Sequence, residues 1–387
     1  MNVMPEGELT WPEQLGGGSV YDPVGVIHGG DLVDDGSTEE WSWSSYTHLF
    51  GATSKCVPTP TTQCPRLRWP VIAEGHGNHD GSNSTHEDGR GWFVDKNTRS
   101  RNQQRYEEGM LTEVSANGLH SSWDWSFGCN CAPLKGQCSL HLVHLGLYSG
   151  DTCQGCGDDG NSCFYGKACY GGFVYPEESY SFLAQDLAKN VGKSGRPVVI
   201  IQHYGFDGFS IAWYSPAERA ALFELLRGYN VIGIFVGHTH CPQIYKWNGT
   251  HIGAGLAGPA LDVYNLDATV KVEPGIFAVE LWGNGTFRLA HRQTSATSSQ
   301  WGNVQARKAV ALEERCPVPA STVQAEEYVH NGEIGGVDPF LLEELAGMEK
   351  AAAAAKVLQR EARAKHGKEQ AARVHEVVAK AKRRRSQ

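Results

Sequence analysis

Seven side chains in four short blocks carry the chemistry of this sequence. They are Asp31 in Gly30-Asp31, the run Gly77-Asn78-His79-Asp80, His203, and the pair His238 and His240 in Gly237-His238-Thr239-His240. Asp31, Asn78, His203, His238 and His240 together offer one carboxylate, one amide oxygen and three imidazoles, a hard-to-borderline donor set suited to Zn, Fe or Mn. His79, with an acid directly after it, adds a candidate proton donor. Taken singly, each block is weak: a Gly-Asp pair is usually a turn, and a lone histidine is more often packed or solvated than a ligand. The ordered set is far more specific.

Each block lies near the end of an apolar run: Val24–Ile27, Trp69–Ile72, Val198–Ile201 and Val231–Val236. Such runs predict buried strands, and loops at the carboxyl ends of strands are where α/β folds gather ligands. Strands are also predicted over Trp123–Phe127, Leu140–Tyr148, His251–Gly258, Ile276–Trp282 and Thr286–Arg292, the last two joined by a Gly283-Asn284-Gly285 hairpin turn. Helices are predicted over Tyr180–Asn190 and Ala217–Tyr229, giving a β-α-β-α-β order around His203 and His238. His141, His144, His251 and His291 fall within predicted strands and are read as structural.

In this order and spacing the four blocks resemble the calcineurin-like metallophosphoesterase family over about residues 24–292. The resemblance implies an α/β fold, a two-sheet β-sandwich flanked by helices, with two Fe, Zn or Mn ions at one end of the sheets. It implies that Asp31 bridges the ions, that Asn78, His203 and His238 complete one shell, and that His240 belongs to the other. His79 would be the proton donor, oriented by Asp80, and the substrate a phosphorylated small molecule or macromolecule, monoester or diester.

The sequence departs from that family at one point. The family opens with an Asp-x-His block, and the thirty residues before Asp31 contain none: Asp22 is followed by Pro23 and Val24, and His28 lies three residues before Asp31. The expectation is that the true amino terminus is missing. One site then keeps four ligands and the other only Asp31 and His240, so this chain is expected to hold one ion and to have impaired activity. His28, Asp34 or Asp35 are candidate substitutes, although solvated turn acids are the favoured reading of Asp34 and Asp35. The alternative function is a non-catalytic, single-metal binding or scaffold protein.

Composition agrees with a globular enzyme. The chain has 387 residues, 40% of them hydrophobic and 10% aromatic, and its 46 glycines suit many turns between short strands. No run is apolar and long enough for a membrane span. The net charge of −9 is uneven, because residues 349–387 carry twelve Lys/Arg against four Glu and the remainder holds −17. An acidic body argues against broad nucleic-acid binding.

The expected organisation is a lead-in over residues 1–23, a phosphoesterase domain over 24–300, a linker over 301–337 and a basic helical tail over 338–387. Good helix formers dominate that tail, and Lys382-Arg383-Arg384-Arg385 offers a contact for an anionic partner or a simple solvated end. A cysteine-dense insertion spans 129–169, with Cys129, Cys131, Cys138, Cys153, Cys156, Cys163 and Cys169. Disulfides are the favoured reading there, with Cys56–Cys64 a further loop closure, and they imply a secreted or lumenal protein; a structural zinc is the second reading. Cys241 and Cys316 are candidate free thiols. Substrate cues are two: an aromatic wall over Tyr204–Phe209 beside His203, and Arg99 and Arg101 as phosphate contacts or surface charges.

Overall fold

The computed structural model describes residues 9–32, 74–81, 94–129, 138–151, 178–207, 210, 215–254, 256–267, 275–294, 299–313 and 328–330. The predicted strand at Trp69–Ile72, the acids Asp34 and Asp35, Phe209, Cys56, Cys64, Cys131, Cys153, Cys156, Cys163, Cys169, Cys316 and the basic tail lie outside them. Contacts divide the chain into a unit over Met1–Gly336 and a second over Val337–Gln387.

Twelve strands form two sheets among the described residues. They are β1 (Glu113–Val114), β2 (Ser121–Phe127), β3 (Cys138–His144), β4 (Val198–Ile201), β5 (Val231–Val236), β6 (Gln243–Trp247), β7 (Ile252–Gly253), β8 (Leu261–Asn265), β9 (Gly275–Leu281), β10 (Thr286–Thr294), β11 (Ser299–Ala309) and β12 (Tyr328–His330). The larger sheet runs β1-β2-β3-β4-β5-β8-β6-β7, and the second runs β12-β11-β10-β9. β3, β4, β5 and β8 are parallel neighbours, whereas the second sheet is antiparallel throughout. Three α-helices lie among the described residues of this unit: α1 (Ser100–Glu107), α2 (Ser179–Asp186) and α3 (Pro216–Leu226).

The layers follow from strand alternation. Val198 and Ile200 point to one face of β4, with Leu183, Leu187, Leu222 and Leu226 from the α2 and α3 regions. Val199 and Ile201 point to the other, against Phe287, Leu289, Val304 and Ala306 of β10 and β11. Both faces of the central strands are therefore buried, as a parallel sheet requires, and the run Val-Val-Ile-Ile reads as continuously apolar for that reason. A register shift between β4 and β5 at Val198/Val199 lets Ile232 join the second face while Ile234 and Val236 join the first. α3 starts cleanly: Ser215 accepts from the Glu218 amide, Glu218 accepts from the Ser215 amide, and Pro216 occupies the first turn.

Several sequence expectations are corrected. Val24–Ile27 is not a strand: only Val26 forms a bridge, and Val24 is 70% exposed. Val26 and Ile27 pack against different apolar clusters, so the segment passes between layers and does not pair along an edge. The strand predicted at His251–Gly258 shrinks to β7, because Gly258 adopts a left-handed φ of +84° before Pro259, and the residues beyond form β8. The predicted Leu140–Tyr148 strand ends at His144, with Gly146 at φ +64° turning the chain. Part of the segment read as a linker, from 301 onward, is sheet: β11 extends to Ala309, and β12 pairs with it.

Cys129 and Cys138 form a disulfide that closes the hairpin between β2 and β3, in keeping with the disulfide reading of this region. No helix among the described residues is long and apolar enough to cross a membrane.

Of the four histidines read as structural within strands, His141, His144 and His291 fit that reading and His251, just ahead of β7, does not. His251 is exposed, and the other three are tied within the fold. His141 joins Asp124 at 2.7 Å through Nδ1 and Asp186 at 2.7 Å through Nε2, while Arg196 also reaches Asp124. Ser122 and Asn190 each donate to the second Asp186 oxygen at 2.7 Å, so this buried cluster fastens β2 and β3 to α2.

Burial alone would depress the His141 pKa, but its two carboxylate partners raise it above the ordinary 6.5. Burial would likewise raise Asp124, yet His141 and Arg196 hold it below 3.8. A raised histidine contributes its full stability below its unfolded value and loses it as pH rises through the folded one; a lowered carboxyl contributes above its unfolded value and loses it as pH falls. The cluster is therefore most stabilising on the acid side of neutrality. His141→Asn is expected to lower stability by about 3 kcal/mol near pH 6 and by clearly less near pH 9. Urea midpoints across that range check it, and an equal loss at both ends would sink the idea.

Candidate metal centre

The carboxyl ends of β4 and β5 and the loops holding Asp31 and Asn78 converge on one spot. Ligand-capable atoms of Asp31, His203 and His238 lie within 4.8 Å of one another. His203 Nε2 is 3.0 Å from Asp31 Oδ2 and 2.9 Å from Asn78 Oδ1. Its other nitrogen, Nδ1, is 2.8 Å from the Gly29 carbonyl, which accepts only, so that nitrogen carries a proton. In a neutral imidazole the Nε2 lone pair would then face two oxygen acceptors. Such a pairing is repulsive unless a positive charge sits among the three atoms, as a proton on Nε2 or as a cation held by all of them. The donor chemistry thus fits a divalent metal ion of the borderline class.

Electrostatics point the same way. Burial would raise the Asp31 carboxyl, but His203, with His79 and His238, holds it well below the usual carboxylate range. Burial would lower His203, and Asp31 outweighs it to raise that imidazole. His238 is driven well below 6.5 by burial and by His203, leaving a neutral imidazole suited to ligation. Its ring meets the Tyr204 ring edge-on at 4.5 Å.

The backbone is bent to deliver these groups. Asp31, His238 and His240 are non-glycine residues with left-handed φ values of 51°, 73° and 55°. Such conformations cluster at functional sites, and Asp and His tolerate them better than most residues. The bend answers how alternate residues of His238-Thr239-His240 can serve one centre. Thr239 between them is buried, and its hydroxyl accepts from the Asn265 amide at the end of β8.

Asp80 is fully buried and staples two ligand loops. Its Oδ1 accepts from the Leu32 amide and its Oδ2 from the Gly77 amide, both at 2.8 Å. Reciprocally, the His79 amide donates to Asp31 Oδ1 at 2.9 Å. His79 itself is half-buried, so its side chain remains within reach of solvent while Asn78 and Asp80 are covered. His144 adds a further tie: Nε2 donates to the His28 carbonyl at 2.8 Å, and Nδ1 accepts from Gly146. Both nitrogens being so used, burial leaves this ring neutral with a pKa of about 4. His28 falls to about 4 as well, burial being the main cause.

The structure brings Asp31, Asn78, His203 and His238 together. His79 and Asp80 adjoin them, and His240 follows on the same bent segment, outside the three-residue cluster. Of the substrate cues, Tyr204 does stand beside the centre, but Phe206 is buried in a stack on Trp247 at 3.8 Å. Arg101 is neither a surface charge nor displayed to a ligand: it is 7% exposed and lies 3.6 Å from Glu74, which Arg105 grips with both guanidinium nitrogens. Glu74 sits four residues before Asn78, so this pair of arginines anchors α1 to the ligand loop. Sequence reading missed the Gly29 carbonyl and Asn265. Gly29 lay within sight in Gly29-Gly30-Asp31, whereas Asn265 ends a strand that was not anticipated.

A sandwich of sheets with buried carboxylate, amide and imidazole donors at the strand ends defines a candidate metal-binding site. The family model for calcineurin-like phosphoesterase matches residues 11–242, and the chain belongs to that family. No curated protein matches it.

Two glycines set the approach of the loops. A Cβ on Gly77 would lie 2.1 Å from Asp31 Oδ1, and one on Gly30 would lie 2.7 Å from His203 Nδ1. Gly77→Ala is therefore expected to push Asp31 out of line and to weaken metal affinity by at least about tenfold, with secondary structure retained. Equilibrium titration with Zn or Mn against circular dichroism checks this, and wild-type affinity in the variant would refute it.

Proposed function

We propose that this chain is a metal-dependent phosphoester hydrolase in which Asp31, Asn78, His203 and His238 hold one ion and His79 supplies the leaving-group proton. The observation that carries the reading is the convergence of Asp31, His203 and His238, with the Asn78 amide oxygen against the same His203 nitrogen. A bound divalent ion supplies Lewis-acid charge and makes hydroxide available near neutral pH.

The protein residues then divide the remaining work. The buried ligands fix the centre, and the bond from Gly29 sets the His203 tautomer. His79, tied by its amide to Asp31 and half-open to solvent, is placed to hold a proton for the departing alkoxide. Asp80, which fastens the loop carrying His79, is proposed to orient it. His240 with Asp31 would serve a second ion where the family's full ligand set is present. The Cys129–Cys138 disulfide supports assignment to an oxidising, secreted or lumenal compartment.

A second reading, ion binding without catalysis, draws support from the composition of the cluster. Among the described residues it comprises three members, with His240 outside. The two separate on one experiment: metal content of the purified chain, with turnover of p-nitrophenyl phosphate and its bis-ester in added Mn. One ion per chain, and turnover that falls about 100-fold in His79→Ala with the ion retained, is expected. One ion with no turnover of either ester would select the binding reading, and no retained ion would defeat both.

A further inference from the structure

A cleft of about 420 Å³ opens beside the metal-binding loops, against the second sheet. Its walls include Pro242, Asp267, His291, Gln293, Gln300 and Asn303, and none of Asp31, His203 and His238 lines it. It is thus a neighbour of the centre and not the centre itself. Two connections place it there. Pro242 follows His240 by two residues. Asp267 follows Leu266, whose side chain abuts Gly29, and Asn265, whose amide holds Thr239. The groove is of the size that takes a small organic ligand.

We propose that this cleft is the subsite for the alcohol portion of the phosphoester, and that it takes an uncharged, hydroxyl-rich group of the sugar type. The proposal rests on the hydrolase reading above. The lining offers three carboxamides and a carboxylate. Carboxamides both donate and accept, as vicinal hydroxyls do, and a carboxylate has acceptor capacity beyond one partner. Among the described lining residues there is no lysine or arginine to pair with a second phosphate, and the nearby Arg292 guanidinium is engaged over the Trp301 ring. Among the described lining residues, apolar surface comes from Pro242 and part of Trp301, too little for an acyl chain.

The part of the wall formed by Asp267, His291 and Trp301 is also fixed in place. His291 Nε2 bonds Asp267 Oδ2 at 2.9 Å with both side chains buried. Close packing on His291 from Gly275 and Gly302 leaves that ring no room to turn: a Cβ at either would come within 2.6 Å of one of its nitrogens. Trp301 stacks on Trp11 at 5.4 Å and lies under the Arg292 guanidinium. A preformed array of this kind binds at low ordering cost, and binding energy gained remote from the phosphorus can be used at the reacting centre.

The test is calorimetric titration of the full chain with methyl α-D-glucopyranoside and, separately, with adenosine, neither of which carries a phosphate. Gln300 and Asn303 are exposed, so the double variant Gln300→Ala/Asn303→Ala is expected to keep the wild-type melting temperature. Millimolar-range binding of one probe, weakened about tenfold in that variant, is expected. Preference for the glucoside assigns a pyranose and preference for adenosine a ribose. Binding of neither, or binding that the double variant does not alter, overturns the proposal. Wild-type turnover of p-nitrophenyl phosphate, whose leaving group has no hydroxyl array, reports on the hydrolase reading alone. Turnover without probe binding therefore removes the subsite and keeps the hydrolase, whereas probe binding without turnover keeps a hydroxyl-binding cleft and removes the hydrolase reading on which its role as a subsite rests.

Discussion

The structure around the centre depends on one imidazole. His203 leaves the carboxyl end of β4 and meets the Gly29 carbonyl, the Asp31 carboxylate and the Asn78 amide oxygen, partners that lie more than a hundred residues away in sequence. Three acceptors around a group with two nitrogens cannot all be satisfied by a neutral ring. The surplus of negative potential is a standing demand for a cation, and it is built into the packing before any ion arrives. Removing His203 would delete its contacts to the Asp31 and Asn78 loops together with a candidate ligand.

The rest of the fold holds that junction still. β4 and β5 are covered on one face by α2 and α3 and on the other by β10 and β11, so their carboxyl ends have fixed positions. The loops that reach those ends are then laced by buried polar groups: Asp80 to Leu32 and Gly77, His144 to the His28 carbonyl, Asn265 to Thr239, and Glu74 to the arginines of α1. Each such contact is modest on its own, but leaving any of these buried partners unpaired costs more than the contact contributes. The loops therefore behave as a network and not as independent turns.

The sequence made part of this legible and hid the rest for physical reasons. Val198–Ile201 and Val231–Val236 announce themselves because strands buried on both faces are continuously apolar, and the ligand blocks follow them directly. β11 was concealed because its buried apolar positions are few: Val304 and Ala306 are buried, while Gln300 and Asn303 are open to solvent, so its composition looks like that of a connector. Val24–Ile27 misled in the opposite direction, being apolar in order to bridge two clusters and not to pair. Asp31, Asn78, His203 and His238 were readable from residue type and order. The carbonyl of Gly29 and the buried pairing of Arg101 were not, since neither a backbone acceptor nor a charge partner leaves a mark in residue type.

The bent backbone explains why the centre needs so large a scaffold. Left-handed conformations at Asp31, His238 and His240 cost about 1 kcal/mol or more each relative to relaxed alternatives. A local segment could not sustain three of them, and a flexible loop would relax and spread its donors. Here the two-faced burial of β4 and β5 and the ties at Thr239 and Asp80 supply the opposing free energy. The strain stored in three residues is offset by packing drawn from both sheets.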